Sequence, residues 1–501
     1  MDQAIIQQIL ANLFSFHTLI ALLIGVVGGM IMGALPGLSS TMAVALLVPI
    51  TFGMEPVAGL VMLTAIYTSA TYGGSLSAIL LHTPGTPASA ATALDGYELT
   101  KKGQASRAIG IATVSSMIGG FISGLALLFL APPLAKVSLL FSAPEYLFLS
   151  IFGLTIIGSL SGGSVIKGLA SGAIGLLIGT IGIDIITGFP RYTFGITSLE
   201  SGISLIPALI GLFSLSQVFI LLEGGNTEEK SNEIKQLISK LIPSKEDFNK
   251  IFATILRSSG LGVLIGILPG AGGDVGSWVA YNEAKRFSKH KEEFGKGSIE
   301  GIAGSETANN AVTGGALIPL LTLGIPGSST TAVLLGGLMI QGLVPGNDLF
   351  TVHADVSYSV ILGFLIANIL MGIVGLFGAK YFIKVLNVPQ NMLIPIIIAL
   401  CVIGSYAINN NVFDICIMLI FGVIGYAMRK TGFSPAPVIL GLILGPIAEK
   451  SLGQSMVMAQ GDLFGYFVSR PVTVVFMVLI VVTVVSPLII NVVKNRKTNN
   501  V

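Results

Sequence analysis

The hydrophobic pattern of this chain is a succession of apolar runs separated by short polar breaks. The runs fall near residues 17–35, 38–52, 57–81, 108–131, 139–160, 165–183 and 201–222. After a polar interval they resume near 253–268, 272–284, 301–323, 326–343, 354–379, 386–406, 411–428, 434–448 and 471–493. Many approach the ~20 residues that carry a helix across a bilayer. Several are too short or too rich in glycine to cross alone. The pattern predicts an all-α polytopic membrane protein of about 11–14 helices or half-helices, with Pro-Gly-broken or re-entrant segments among them. The mixed-charge interval divides it into a first transmembrane half (1–222), a cytoplasmic linker (223–252) and a second transmembrane half (253–501).

Composition agrees. The chain is 53% hydrophobic and 10% charged, against roughly 25% charged in an average soluble protein. Its mean hydropathy is +0.89. Glycine is abundant, as expected where helices must approach closely without a hydrophobic drive between them. Cys401 and Cys416 both lie in apolar runs and read as core thiols rather than a disulfide or metal pair. The N-terminus has neither a basic start nor a small-residue cleavage site, so no removable signal peptide is expected.

Two segments of the second half stand out, GILPGAGGD and GIPGSSTT, where Pro269-Gly270 and Pro326-Gly327 interrupt apolar runs. The first half echoes them in order: GALPGLSST carries Pro36-Gly37, and Gly73-Gly74 is followed by Pro84-Gly85-Thr86. Broken helices at membrane depth survive only where the freed backbone is buried in protein or lines a polar cavity. Such breaks, at matching positions in two halves, mark transporter binding sites. Flanking charge then orients the halves. The link between the two motifs carries Glu55 in the first half but Lys285 to Lys296 in the second, and the following loop reverses the pattern, basic at Lys101 to Arg107 and acidic at Asp348 and Asp355. Basic loops stay inside, so the halves are expected to be inverted-topology repeats, with the tail bearing Lys494, Arg496 and Lys497 on the cytoplasmic side.

The chemistry of these motifs is that of neutral donors. A helix restarting after Pro-Gly points unpaired N–H groups and a partial positive end at whatever fills the gap. Ser39, Ser40, Thr86, Ser328 and Ser329 add hydroxyls there, suited to a carboxylate or phosphate. No Lys or Arg lies within the motifs, so dipoles and hydroxyls rather than salt bridges are expected to hold an anion. The same hydroxyls could instead only cap the helices. A second cluster is Ser305-Glu306-Thr307-Ala308-Asn309-Asn310, in which Glu306, Asn310 and Thr313 follow helical spacing. A carboxylate at membrane depth marks an ion or proton path by default, and Asp274 is a second candidate. The alternative places Glu306 at a membrane boundary, near Lys296 and Glu300, with access to solvent.

Taken together, GALPGLSSTMAVALLVPITFGMEP, YGGSLSAILLHTPGTPASAATALDGYELTKKGQASRAIG and the block from Gly266 to Gly346 closely resemble the large membrane subunit of tripartite tricarboxylate transporters, over residues 20 to about 450. The resemblance implies a multi-pass protein of the bacterial inner membrane that imports a carboxylate such as citrate, driven by a Na+ or H+ gradient. It implies a small membrane subunit and an extracytoplasmic substrate-binding protein as partners. Carried onto this sequence, the substrate-binding positions are Pro36, Gly37, Ser39, Ser40, Gly73, Gly74, Pro84, Gly85, Thr86, Pro269, Gly270, Pro326, Gly327, Ser328 and Ser329. The ion-coupling positions are Asp274, Glu306, Asn309, Asn310 and Thr313, with Na+ as the metal they could hold. No cofactor beyond the coupling ion is implied, the bilayer is the environment, and nothing suggests nucleic acid. A homo-oligomer stays open. The Pro-Gly pairs lie 48 residues apart in one half and 57 in the other, so the halves are not equivalent residue for residue.

Two other classes compete. One is a self-sufficient carboxylate carrier or exporter that needs no binding protein. The other is an intramembrane enzyme using a serine near His82 or an acid pair, but no H-E-x-x-H or G-x-S-x-G occurs, nor the phosphate loop of an ATP-driven pump, and a non-enzymatic role is expected.

Overall fold

The two helices Pro56–Leu81 and Ile299–Leu323 form the centre of the molecule. In the computed structural model every residue from Val57 to Leu80 and from Ile299 to Thr322 is buried. A helix covered on all sides has no solvent or lipid face to satisfy, which is why both carry hydroxyls, amides and glycines without amphipathic order. The structure describes residues 3–35, 37–160, 165–184, 188–223, 241–385 and 390–483. Pro36, most of the 223–252 linker and the basic tail at Lys494, Arg496 and Lys497 lie outside the described residues.

Eight helices among the described residues are long and apolar enough to cross a membrane, and four shorter apolar helices accompany them. The two central helices have the length but too many polar and glycine positions to reach the same apolar average. A two-residue antiparallel pairing, Gly182 opposite Arg191, is the only sheet among the described residues. The protein is thus an all-α polytopic membrane protein. Of the two free thiols only Cys401 is in the core; Cys416 is exposed on the outward face of Val412–Lys430, so its reading as a core thiol does not hold.

Around the central pair the same order of elements occurs twice. Phe16–Ala34, the short helix Ser40–Leu47, Pro56–Leu81, Ala90–Lys101 and Ala105–Val137 are followed later by Lys245–Ile267, Gly272–Phe287, Ile299–Leu323, Ser329–Ile340 and Ala354–Val385. Local sequence explains the starts. Ser39, Ser244, Ser298 and Ser328 each accept a hydrogen bond from a backbone N–H of the first turn, and Pro56 sits where a helix tolerates proline. Glycines set the close approaches. A Cβ on Gly33 would lie 2.0 Å from the Ala70 carbonyl oxygen, and one on Gly266 would lie 2.7 Å from that of Val312. Only glycine permits such backbone contact.

The halves also exchange partners. Ile299–Leu323 packs along Ala105–Val137, where a Cβ on Gly119 would meet the Thr307 carbonyl oxygen at 2.2 Å. Pro56–Leu81 packs along Ala354–Val385, where Thr68 donates to Asn368 Oδ1 at 2.7 Å. At the polar rim, the buried Asp95 carboxylate accepts the backbone N–H groups of Gly295, Gly297 and Ser298 at 2.8–2.9 Å and the Tyr281 hydroxyl at 2.9 Å. That clamp fastens the start of the second central helix to the first half.

Candidate binding site at four helix starts

Each Pro-Gly motif ends one helix and begins another, and its glycine is required for one of two reasons. Gly37 and Gly270, the glycines of the first motif in each half, have φ of +88° and +82°, a conformation that side-chain-bearing residues avoid. Gly85 and Gly327, those of the second, have ordinary φ but no room. A Cβ would stand 2.2 Å from the Gly33 carbonyl oxygen in one case and 2.7 Å from that of Gly266 in the other. The second motif therefore seats directly on the last turn of the helix that opens its half.

All four breaks reach one cavity of about 410 Å³. Ser39, Ser40 and Thr41 line it from the first break, Thr86, Pro87 and Ala88 from the second, Gly270, Gly272, Gly273 and Asp274 from the third, and Ser328, Ser329 and Thr330 from the fourth. The tips meet in cross-half pairs. Thr41 and Ser40 hydroxyls lie 2.9 and 3.3 Å from that of Thr330, and a Cβ on Gly273 would be 3.3 Å from that of Ala88. Gly270 N–H donates to the Gly327 carbonyl at 2.8 Å, tying the two second-half breaks together. The wall between tips comes from Tyr67 and Thr71 on one central helix and from Asn309, Val312 and Thr313 on the other.

The capping role of the hydroxyls is real. Ser39 accepts from Met42 N–H, and Ser328 and Thr331 form a reciprocal capping box. Accepting these bonds leaves each serine its own hydroxyl proton to donate. Gly272–Phe287 begins without any side-chain cap.

Several positions named from the sequence are not in the cavity wall. Gly73 and Gly74 interrupt nothing: the helix runs straight through them, and they let Gly33 and Thr86 approach. Pro84 and Gly85 line an adjoining cavity of about 360 Å³ instead. Pro269, Pro326 and Gly327 line neither cavity, and Pro36 lies outside the described residues. His82 is the left-handed last residue of its helix (φ 58°) and stacks on Tyr97 away from both cavities.

The polar cluster of the second central helix divides. Asn309 and Thr313 face the cavity with Asp274; Glu306 and Asn310 face Ala105–Val137. Glu306 is fully buried, so the solvent access that a boundary position would give it is not found. Its carboxylate accepts from the Thr92 hydroxyl and, at 3.0 Å, from that of Ser116. No Lys, Arg or His pairs with it among the described residues. Asn310 Nδ2 donates to the Ser116 carbonyl at 3.3 Å while its Oδ1 has no partner, and neither amide atom of Asn309 has one. Buried polar atoms without partners are rare and costly; those of Asn309 border the cavity, and that of Asn310 lies on the side facing Ala105–Val137. Three-residue clusters of His, Cys, Asp or Glu are absent among the described residues, so a bound cation would depend on mixed carboxylate, hydroxyl and amide oxygens.

Arg429 is the residue the sequence did not offer. It stands beside Lys430 at the end of an apolar run, yet it lines both cavities. The only sequence signal is a glycine pair one and two turns before it, Gly422 and Gly425.

The comparisons accord with this architecture. The model of the tripartite tricarboxylate transporter TctA family matches residues 19–440. An uncharacterised 52.8 kDa protein in the TAR-I ttuC' 3' region of Agrobacterium vitis is 41% identical over 449 residues, 90% of this chain and 89% of the relative. An uncharacterised protein in the TAR-II ttuC' 3' region of the same organism is 39% identical over 228 residues, 46% of this chain and 94% of the relative. No solved structure matches significantly. The chain belongs to the tripartite tricarboxylate transporter TctA family.

Proposed function

We propose that this chain is the large membrane subunit of an ion-driven, binding-protein-dependent importer of carboxylates such as citrate. The observation that carries the reading is the convergence of four helix starts, two from each half, on one polar cavity. Positive helix ends and hydroxyl donors there suit a carboxylate. The duplicated element order, the matched glycines and the opposite flanking charges support inverted repeats, the arrangement that gives alternating access. On this reading the chain sits in the bacterial inner membrane with its C-terminus in the cytoplasm. A small membrane subunit and an extracytoplasmic binding protein complete the system.

Coupling belongs to the second central helix. Glu306, sealed among hydroxyls without a basic partner, binds the driving H+ or Na+, because a lone buried carboxylate is strongly disfavoured in that setting. Asn309, Thr313 and Asp274 face the substrate side and transmit occupancy between the two. Uptake of labelled citrate and other carboxylates into vesicles, under imposed Na+ or pH gradients and with or without the partner subunits, tests this. Gradient-driven uptake that needs the binding protein is the expected result; uptake by this chain alone would favour the self-sufficient carrier, and none at all would remove the carboxylate reading.

A further inference from the structure

Of the residues lining the two cavities, one is cationic, Arg429. The cavities share Ser39, Thr86, Pro87, Phe213 and Arg429, so the guanidinium stands at their junction, beside two of the four helix starts. It comes from Val412–Lys430, outside the duplicated elements.

Its placement follows from the helix beneath. Leu205–Glu223 widens to a π-turn at Ile210–Leu215, and such turns loosen the backbone ladder and recur at functional sites. Val412–Lys430 lies directly against this turn. A Cβ on Gly425 would come 2.8 Å from the Leu212 carbonyl oxygen, and one on Gly211 would come 2.4 Å from that of Met418. One turn past Gly425, Arg429 reaches Gln217 Oε1 at 2.7 Å and the Phe213 carbonyl at 3.4 Å, while its Nε has no partner. Both partners are neutral. The neighbouring Lys430 is paired with Glu223, whereas Arg429 meets no carboxylate among the described residues. A half-buried guanidinium held only by neutral acceptors, with donor capacity left over, is a site prepared for an anion.

We propose that Arg429 is the substrate's charge anchor: it binds a carboxylate group at the junction of the two cavities, and Gln217 positions it between substrates. The guanidinium offers the planar two-point donor pair that matches a carboxylate, which an ammonium does not. This rests on the carboxylate-transport reading above. It adds that recognition is not by helix ends and hydroxyls alone.

The test compares wild type, R429Q, R429K and K430Q in the complete system in vesicles, measuring KM and Vmax for labelled citrate. Chain abundance and monodispersity after extraction serve as the folding control. R429Q is expected to raise KM by about tenfold or more, the loss of a charge-assisted hydrogen bond, with Vmax and the ion dependence little changed. R429K should recover part of that loss, and K430Q should match wild type. A purely structural role predicts lower abundance and Vmax at unchanged KM. A folded R429Q protein with wild-type KM overturns the inference alone; wild-type protein that accumulates no carboxylate overturns the transport reading and this inference with it.

Discussion

The Thr41 hydroxyl lies 2.9 Å from that of Thr330, a buried contact between residues 289 positions apart. Each belongs to the first turn of a short helix that follows a Pro-Gly break, and the two helices come from different halves. The contact shows how the cavity is built: not by one half folding a pocket, but by each half supplying tips that the other completes.

That contact has a measurable energy. Thr41→Val and Thr330→Val should each destabilise, and the double variant should lose less than their sum, with a coupling of about 0.5–1.5 kcal/mol. Thermal unfolding of the extracted protein measures it. Strict additivity would mean the hydroxyls do not meet.

Close packing at the breaks should tolerate no added carbon. Gly33→Ala forces a Cβ to within 2.0 Å of the Ala70 carbonyl oxygen, and should cost about 1–3 kcal/mol as the helices part. Gly28 on the same helix faces open space, with no atom of a neighbouring element within 4 Å of such a Cβ. Its alanine variant should melt like wild type. Equal effects from the two substitutions would contradict the packing described here.

Much of this was legible in the sequence, and the reasons are local. Pro269-Gly270 and Pro326-Gly327 announce breaks because proline removes a donor, while glycine admits a positive φ at Gly270 and close backbone approach at Gly327. Gly73-Gly74 reads the same way but only packs, since glycine inside a helix signals close approach as readily as a break. Glu306, Asn310 and Thr313 share a spacing, yet Ala105–Val137 covers the first two and leaves Thr313 in the cavity. Arg429 was hidden for the same reason. Which neighbour covers a helix face, and which terminal charge folds back over a cavity, are decided by tertiary packing and not by the order of residues.

Glu306→Gln keeps the shape and the hydroxyl partners but removes the ionisable group. Uptake by this variant should lose its stimulation by the imposed Na+ or pH gradient while substrate-driven exchange persists. Wild-type gradient dependence in the variant would take Glu306 out of the coupling step.

Asn309 separates stability from function. Its amide atoms are buried without partners, so Asn309→Leu should stabilise the resting protein or leave it unchanged, since an unsatisfied amide costs about 1–3 kcal/mol. Carboxylate uptake should nonetheless fall about tenfold on the proposed reading, in which the amide's partner is the ligand. Stabilisation with full transport would mean the amide serves no ligand.

The convergence of the four breaks on one substrate is tested most directly by substrate protection. Single cysteines at Ser40 and at Ser329, in protein with Cys401 and Cys416 replaced, are labelled by a small polar maleimide with and without the carboxylate that the vesicles accumulate. Slower labelling at both positions, with an unchanged rate at Gly28→Cys, is the predicted result. Protection at one position only, or at neither, would contradict a site shared by both halves.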